Sequence, residues 1–193
     1  MSQKLRNLRH SIKIAKVAAR VILAAFLALS ITGIAEGGQP SGAKMYRSAE
    51  YRYKFLPPAG WMRKTDMPKQ TTAYLGPEEN DFVVNLTVTV YTAPVKDSDL
   101  EQFANGLKID HGVVSERVQT KLDGHAAYTW RTKLTIPGHP AAENRQVVCV
   151  YNHRAYELTM TTPLGLMKAK YDSVFAKWIA SFGWLPPSAA PYK

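Results

Sequence analysis

The run HAAYTWRTKL, residues 125–134, interleaves basic, hydroxyl and aromatic side chains. His125, Thr129, Arg131 and Lys133 alternate with Ala126, Tyr128, Trp130, Thr132 and Leu134, so a β-strand places the basic set on one face. Arg52 and Lys54 alternate in the same way with Tyr51, Tyr53 and Phe55. A basic strip beside Tyr and Trp suits docking to an acidic protein surface or to anionic lipid. An ordinary half-solvated antiparallel sheet gives the same pattern, and that plainer reading carries more weight. The candidate docking surface is Arg52, Lys54, His125, Arg131 and Lys133.

Covalent and metal chemistry leave weaker traces. No Gly-x-Ser-x-Gly elbow, Gly-rich phosphate loop, His-Glu-x-x-His or zinc-type cysteine pair occurs. A Ser-His-Asp constellation assembles in space and leaves no fixed spacing. His111, His139 and His153 fall in expected turns, however, and His125 opens a strand, where solvated roles are the common ones. Asp97, Asp99 and Glu101 cluster at a helix start; complementing the helix dipole accounts for them, with a hard-cation site as the residual alternative. The single cysteine, Cys149 in QVVCVY, reads as a small buried hydrophobe and precludes an internal disulfide. No catalytic residue, metal or cofactor is expected.

Charge and hydropathy then locate the chain. The net charge of +10 suggests a nucleic-acid binder until it is divided. Lys4, Arg6, Arg9, Lys13, Lys16 and Arg20 stand in residues 1–35 without a carboxylate, leaving 19 basic against 15 acidic residues in the rest. That excess of four is too sparse for a nucleic-acid surface. The basic stretch precedes VILAAFLALSITGIA, residues 21–35, an apolar run with the order of a secretory signal. Gly33 and Ala35 offer a cleavage site, and Ser41 with Ala43 a later one. An uncleaved N-terminal anchor is the alternative. Residues 36–45 read as a linker, 46–184 as the folded domain and 185–193 as a flexible, Pro-rich tail.

Periodicity predicts the elements that position these residues. YRYKF, residues 51–55, alternates as a strand; Pro57 and Pro58 then end it, Gly60 turns, and Trp61 folds back as an apolar plug at the sheet edge. Trp61–Lys64 and Thr71–Leu75 read as short strands. In FVVNLTVTVY, Phe82, Val84, Leu86, Val88 and Val90 point one way and Asn85, Thr87 and Thr89 the other. The sequon Asn85-Leu86-Thr87 falls mid-strand and is read as accidental. DSDLEQFANGLKID is a helix with a Ser98/Glu101 capping box and a buried stripe of Leu100, Phe103, Ala104 and Leu107. Strands Val113–Leu122 and His125–Ile136 join at Asp123-Gly124, and Gln146–Tyr151 and Ala155–Thr161 join across residues 152–154. A last helix opens at Pro163, carries Met167, Tyr171, Val174, Phe175, Trp178, Ile179 and Phe182 at helical spacing, and ends at Gly183. Strands in hairpins with two helices make an α+β domain on a mostly antiparallel sheet.

Several of these features occur in a characteristic order: Pro-x-Gly-Trp after the linker, the long strand 82–91, the mid-chain helix, Leu122-Asp123-Gly124-His125-Ala126-Ala127, and Ser181-Phe182-Gly183-Trp184. Over roughly residues 46–184 the chain thereby resembles the PsbP-like superfamily, which includes photosystem II PsbP, the bacterial envelope protein DcrB and a nuclear Ran-binding protein. The resemblance implies an α/β/α sandwich and a non-enzymatic role in docking or as an envelope accessory. It transfers no functional residue. The chain also lacks the lipid-anchoring cysteine seen in many members of the DcrB and cyanobacterial types. The expectation is thus an exported envelope protein, free or held by its N-terminal segment, that binds a protein partner at a membrane, with anionic lipid as another partner and no nucleic acid. Two alternatives are kept. One is a carrier of a small molecule or lipid, using a gap between sheet and last helix lined by Phe175 and Trp178. The other is a hydrolase, marked by His125 or His153 bonded to a carboxylate beside an exposed Ser or Thr.

Overall fold

The computed structural model describes residues 44–108, 112, 113, 115, 117–135 and 140–186. The segments expected to be a signal or anchor and most of the expected linker, together with residues 187–193, His111 and His139, lie outside them. Among the described residues no helix is long and apolar enough to cross a membrane.

Two-residue periodicity builds most of the molecule. The strands are β1 (Tyr46–Ser48), β2 (Tyr53–Phe55), β3 (Met62–Lys64), β4 (Thr71–Glu79), β5 (Phe82–Tyr91), β6 (Gly112–Val113), β7 (Val118–Leu122), β8 (His125–Leu134), β9 (Ala142–Tyr151), β10 (Arg154–Pro163) and β11 (Gly183–Trp184). Two helices, α1 (Leu100–Lys108) and α2 (Asp172–Ser181), interrupt them. An eight-stranded sheet runs β3-β4-β5-β10-β9-β8-β6, with β7 also on β8, and a three-stranded sheet runs β1-β2-β11. All pairings are antiparallel. The small sheet and α2 cover one face of the large sheet, where Tyr53, Phe55, Leu86, Leu158, Met160, Phe175 and Trp178 share one core. On the other face, α1 buries Leu100, Phe103, Ala104 and Leu107 against Tyr91, Trp130, Val148 and Val150. The result is the expected α+β sandwich, and both predicted helical stripes face inward.

Several expectations are corrected. The strand expected from residue 51 begins at Tyr53, because Arg52 adopts a left-handed φ of 59° that no strand accommodates. The strand expected over 113–122 is two separate strands, β6 and β7. The capping box does not form. A 3-10 turn at Asp97–Asp99 begins one residue early, so Ser98 lies inside the first turn and its hydroxyl donates to Asp99 Oδ1 at 3.1 Å. Glu101 instead accepts from Arg117 at 3.0 Å.

Pro163 closes β10, paired with Ala142 on β9 beyond the last β5 pair at Thr161, and does not open a helix; there β10 has a neighbour on one side only, as at a sheet edge. The helix begins later, through a π turn at Met167–Tyr171, and its cap comes from the neighbouring strand. Glu143 Oε1 on β9 accepts from the backbone amides of Gly165 and Met167, both at 2.9 Å. Gly183 does not end the helix either: Phe182 is already extended, and Gly183-Trp184 pairs with Lys54 and Tyr53 as β11. Asn85, Thr87 and Thr89 point away from the main core, yet each is less than a tenth exposed.

The predicted corner at Trp61 forms. Trp61 N donates to Pro58 O at 3.2 Å across Gly60, whose φ of 80° suits glycine. The indole is 6% exposed and lies on Gly76, where a Cβ would sit 2.6 Å from its Cε2. Gly76 is the floor on which the plug rests.

Candidate functional site

The site is built by turns that bring distant aromatics together. Asp123-Gly124 joins β7 to β8 with φ of 45° and 82°, and Asn152-His153 joins β9 to β10 with φ of 48° and 59°, so both are tight two-residue turns of the kind favoured in hairpins. Each turn adopts left-handed conformations at non-glycine residues, which cost on the order of 1 kcal/mol apiece. The turns set His125 and Tyr151 at the same end of the large sheet, their rings 5.0 Å apart. β11 then brings Trp184 onto them, stacked on Tyr151 at 4.2 Å and 15° and edge-on to Tyr156 at 4.8 Å. Trp184 is fixed by its backbone, since its amide donates to Asp123 Oδ2 at 2.8 Å.

Cations surround this stack. Lys54 lies beside Gly183, where a Cβ would come within 3.1 Å of the lysine Cε and 3.4 Å of Asp123 Oδ2. Arg52 accepts at its carbonyl from Leu185 N at 2.9 Å, which locks the left-handed residue to the chain beyond β11. Arg154 sits 5.5 Å over the Tyr51 ring and donates to the Glu50 carbonyl at 3.3 Å. The platform beneath is buried: Tyr156 donates to Tyr51 O at 2.9 Å, and burial holds the phenols of both tyrosines above the usual range. Tyr151, Trp184, Arg52, Lys54 and Arg154 are half-buried, and His125, Glu50 and Asp123 are exposed.

The sequence-predicted strip therefore divides. Arg52, Lys54 and His125 meet at the Trp184 end. Arg131 and Lys133 lie farther along β8, where Arg131 pairs with Asp172 of α2 at 2.5 Å. Arg145 binds the other oxygen of Asp172 at 2.8 Å and lies 4.7 Å over Phe175, so Asp172 clamps two guanidiniums to the start of α2. Lys133 is exposed, in register with Glu143. Tyr151, Arg154 and Trp184, which complete the cluster, were not anticipated. Their only sequence signal is the pair of turn dipeptides, and partners such as His125 and Tyr151, 26 residues apart, or Asp123 and Trp184, 61 apart, cannot be matched without the fold.

Two further arrangements bear on the alternatives. Phe175 and Trp178 are 2% and 1% exposed, and Trp178 packs edge-on against both Phe175 and Phe55, so these side chains occupy the space between the large sheet and α2. His125 contacts the rings of Tyr151 and Trp184, and among the described residues no carboxylate hydrogen-bonds to it or to the His153 ring. Glu101 is drawn off to Arg117, and among the described residues no group of three or more His, Cys, Asp or Glu side chains is placed to hold a metal ion. On the α1 face, Glu157 accepts from Tyr91 at 2.5 Å, Gln146 at 3.0 Å and Thr159 at 3.4 Å, while burial raises its pKa.

Comparison with protein-family models returns no match, and neither does comparison with curated proteins. Solved structures do match. A protein from Bacteroides thetaiotaomicron superposes with a TM-score of 0.53 at 14% identity, over 76% of this chain and 50% of its own length. This chain thus spans half of that protein. The cyanobacterial PsbP of Synechocystis, CyanoP, superposes with a TM-score of 0.51 at 17% identity, over 80% of this chain and 98% of its own. A point mutant of Mog1 gives 0.50 at 10% identity, over 76% and 98%. The chain has the PsbP/Mog1-like fold. At such identities the likeness is one of architecture, and the residues of the Trp184 cluster stand on the geometry of this chain alone. Within the PsbP/Mog1-like fold, the cluster occupies the end of the large sheet where two hairpin turns and the small sheet meet.

Proposed function

We propose that this chain is an exported, non-enzymatic binding or accessory module serving a protein complex in or on a membrane. The observation that carries the reading is the Trp184 cluster: the half-buried Tyr151 and Trp184 of β9 and β11 converge on one surface with Arg52, Lys54 and Arg154, which have no carboxylate partner among the described residues. Aromatic and arginine side chains held by a rigid scaffold are the usual anchors of protein interfaces. The basic-then-apolar residues 1–35 support the placement outside the cytoplasm. Residues 46–184 are the module on this reading, with the N-terminal segment a cleaved signal or an anchor.

Crosslinking and pull-down from native membranes tests the role. Recovery of a defined membrane-associated partner is the expected result; a copurifying lipid with no protein above background would move the assignment to a carrier. Export is tested by N-terminal sequencing and fractionation of the native protein. A chain that starts at Met1 and stays with the cytosol would sink it.

A further inference from the structure

We infer that the occupant of the Trp184 surface is an acidic peptide segment of a protein partner, its carboxylates taken by Arg52, Lys54 and Arg154 across the Tyr151–Trp184 stack. This inference rests on reading the chain as a binding module and names the chemistry of what it binds.

Charge gives the sign. Lys64, Arg117, Arg131, Arg145 and Lys170 each have a carboxylate partner within the chain. Among the described residues Arg52, Lys54 and Arg154 have none. Several exposed lysines, such as Lys121, Lys133 and Lys177, also have no ion pair among the described residues; what sets the cluster apart is that three such cations gather around one aromatic stack. Of the two acids nearby, Asp123 is engaged by the Trp184 amide and Glu50 lies against the Tyr51 phenol.

Geometry argues for a site prepared in advance. The Arg154 guanidinium rests on Tyr51, a ring only 5% exposed, and donates to the Glu50 carbonyl. Arg52 holds a left-handed backbone that Leu185 fixes from the far side. A guanidinium or backbone already ordered loses less entropy when a carboxylate arrives, and backbone strain of this kind recurs at binding sites.

The distribution of charge favours a discrete segment over a lipid surface. Glu50 and Asp123 are exposed among the cations, so a continuous anionic plane would meet both signs at once. A peptide can space its carboxylates to avoid them. Membrane insertion also needs protruding apolar side chains, whereas Tyr151 and Trp184 are half-buried and the large hydrophobics exposed among the described residues, Met45, Leu56, Val118 and Leu164, lie outside the cluster.

The test uses the full chain and a fluorescein-labelled peptide of alternating glutamate and serine, read by anisotropy at low and raised salt. Wild type is expected to bind, with affinity falling as salt rises. Lys54→Glu and Arg154→Glu are expected to lose about tenfold or more in affinity, and Lys177→Glu on α2 to stay within about twofold. Lys54→Glu decides the matter if Arg154→Glu fails to fold. Equal binding by wild type and Lys54→Glu overturns the inference. So does binding to phosphatidylglycerol vesicles without binding to the peptide. The same variants in the membrane pull-down separate the two levels. A partner retained by Lys54→Glu leaves the module standing and removes this surface, whereas no partner with wild type removes the module itself.

Discussion

Trp61 and Gly76 show how tightly single residues are set. The indole lies where a Cβ on residue 76 would need to be, so Gly76→Ala must displace either the ring or β4. The expected loss is about 1–3 kcal/mol, measured as a shift in the urea midpoint with unchanged slope. Glu157 is a second case. Burial raises its pKa above the ordinary 4.5, so the folded chain holds this proton more readily than the unfolded chain does. The contribution is fully present below the ordinary carboxylate range and is lost as pH rises through the raised value. The stability of wild type minus that of Glu157→Gln should therefore decline as pH rises from about 4.5, then level off. A difference that stays flat or grows, followed by denaturation at successive pH values, would contradict it. That Glu157 is special was not legible in AYELTM, where it has the alternation of any outward-facing strand residue. Its donors, Tyr91 and Gln146, come from two other strands.

At the scale of elements, alternation and helical spacing identify both helices and the longer strands, but not β1 or β11, and the ends are decided by partners distant in sequence. Helix α2 is the clearest example. The sequence offers Pro163 as its start, whereas the structure carries β10 through Pro163 and caps the helix with Glu143 from β9. Glu143→Ala should leave the Gly165 and Met167 amides without an acceptor and cost about 2 kcal/mol or more, with Glu143→Gln recovering part of it. Thermal unfolding of the two variants checks the order. No loss in Glu143→Ala would mean that solvent replaces the carboxylate. At the other end of α2, Ser181 Oγ accepts from Leu56 N at 2.9 Å and donates to Trp178 O at 2.7 Å. The chain then turns directly into β11. That short strand was hidden because Ser-Phe-Gly-Trp also reads as a helix ending in glycine, and only pairing with β2 distinguishes the two.

For the whole molecule, one sheet carries cores on both faces, and Cys149 on β9 sits within the larger of them. Its thiol is 0% exposed, and burial, reinforced by Asp97, pushes its pKa up to about 12. Reaction with a thiol reagent at neutral pH should therefore follow opening of the fold and accelerate across the unfolding transition. Rapid labelling of the native chain would show that β9 opens by itself. The sequence alone determined the α+β class, the inward faces of both helices, the Trp61 corner, the Asp123-Gly124 turn and the sparse basic charge beyond residue 35. These are local properties, set by period, turn chemistry and composition, and they survive without knowledge of neighbours. The tertiary structure alone decided that Arg52, Lys54 and His125 meet around Trp184 while Arg131 is held by Asp172. The reason is physical: which cation remains unpaired depends on what a strand or helix far away in sequence brings within about 4 Å, and only the closed fold sets that distance.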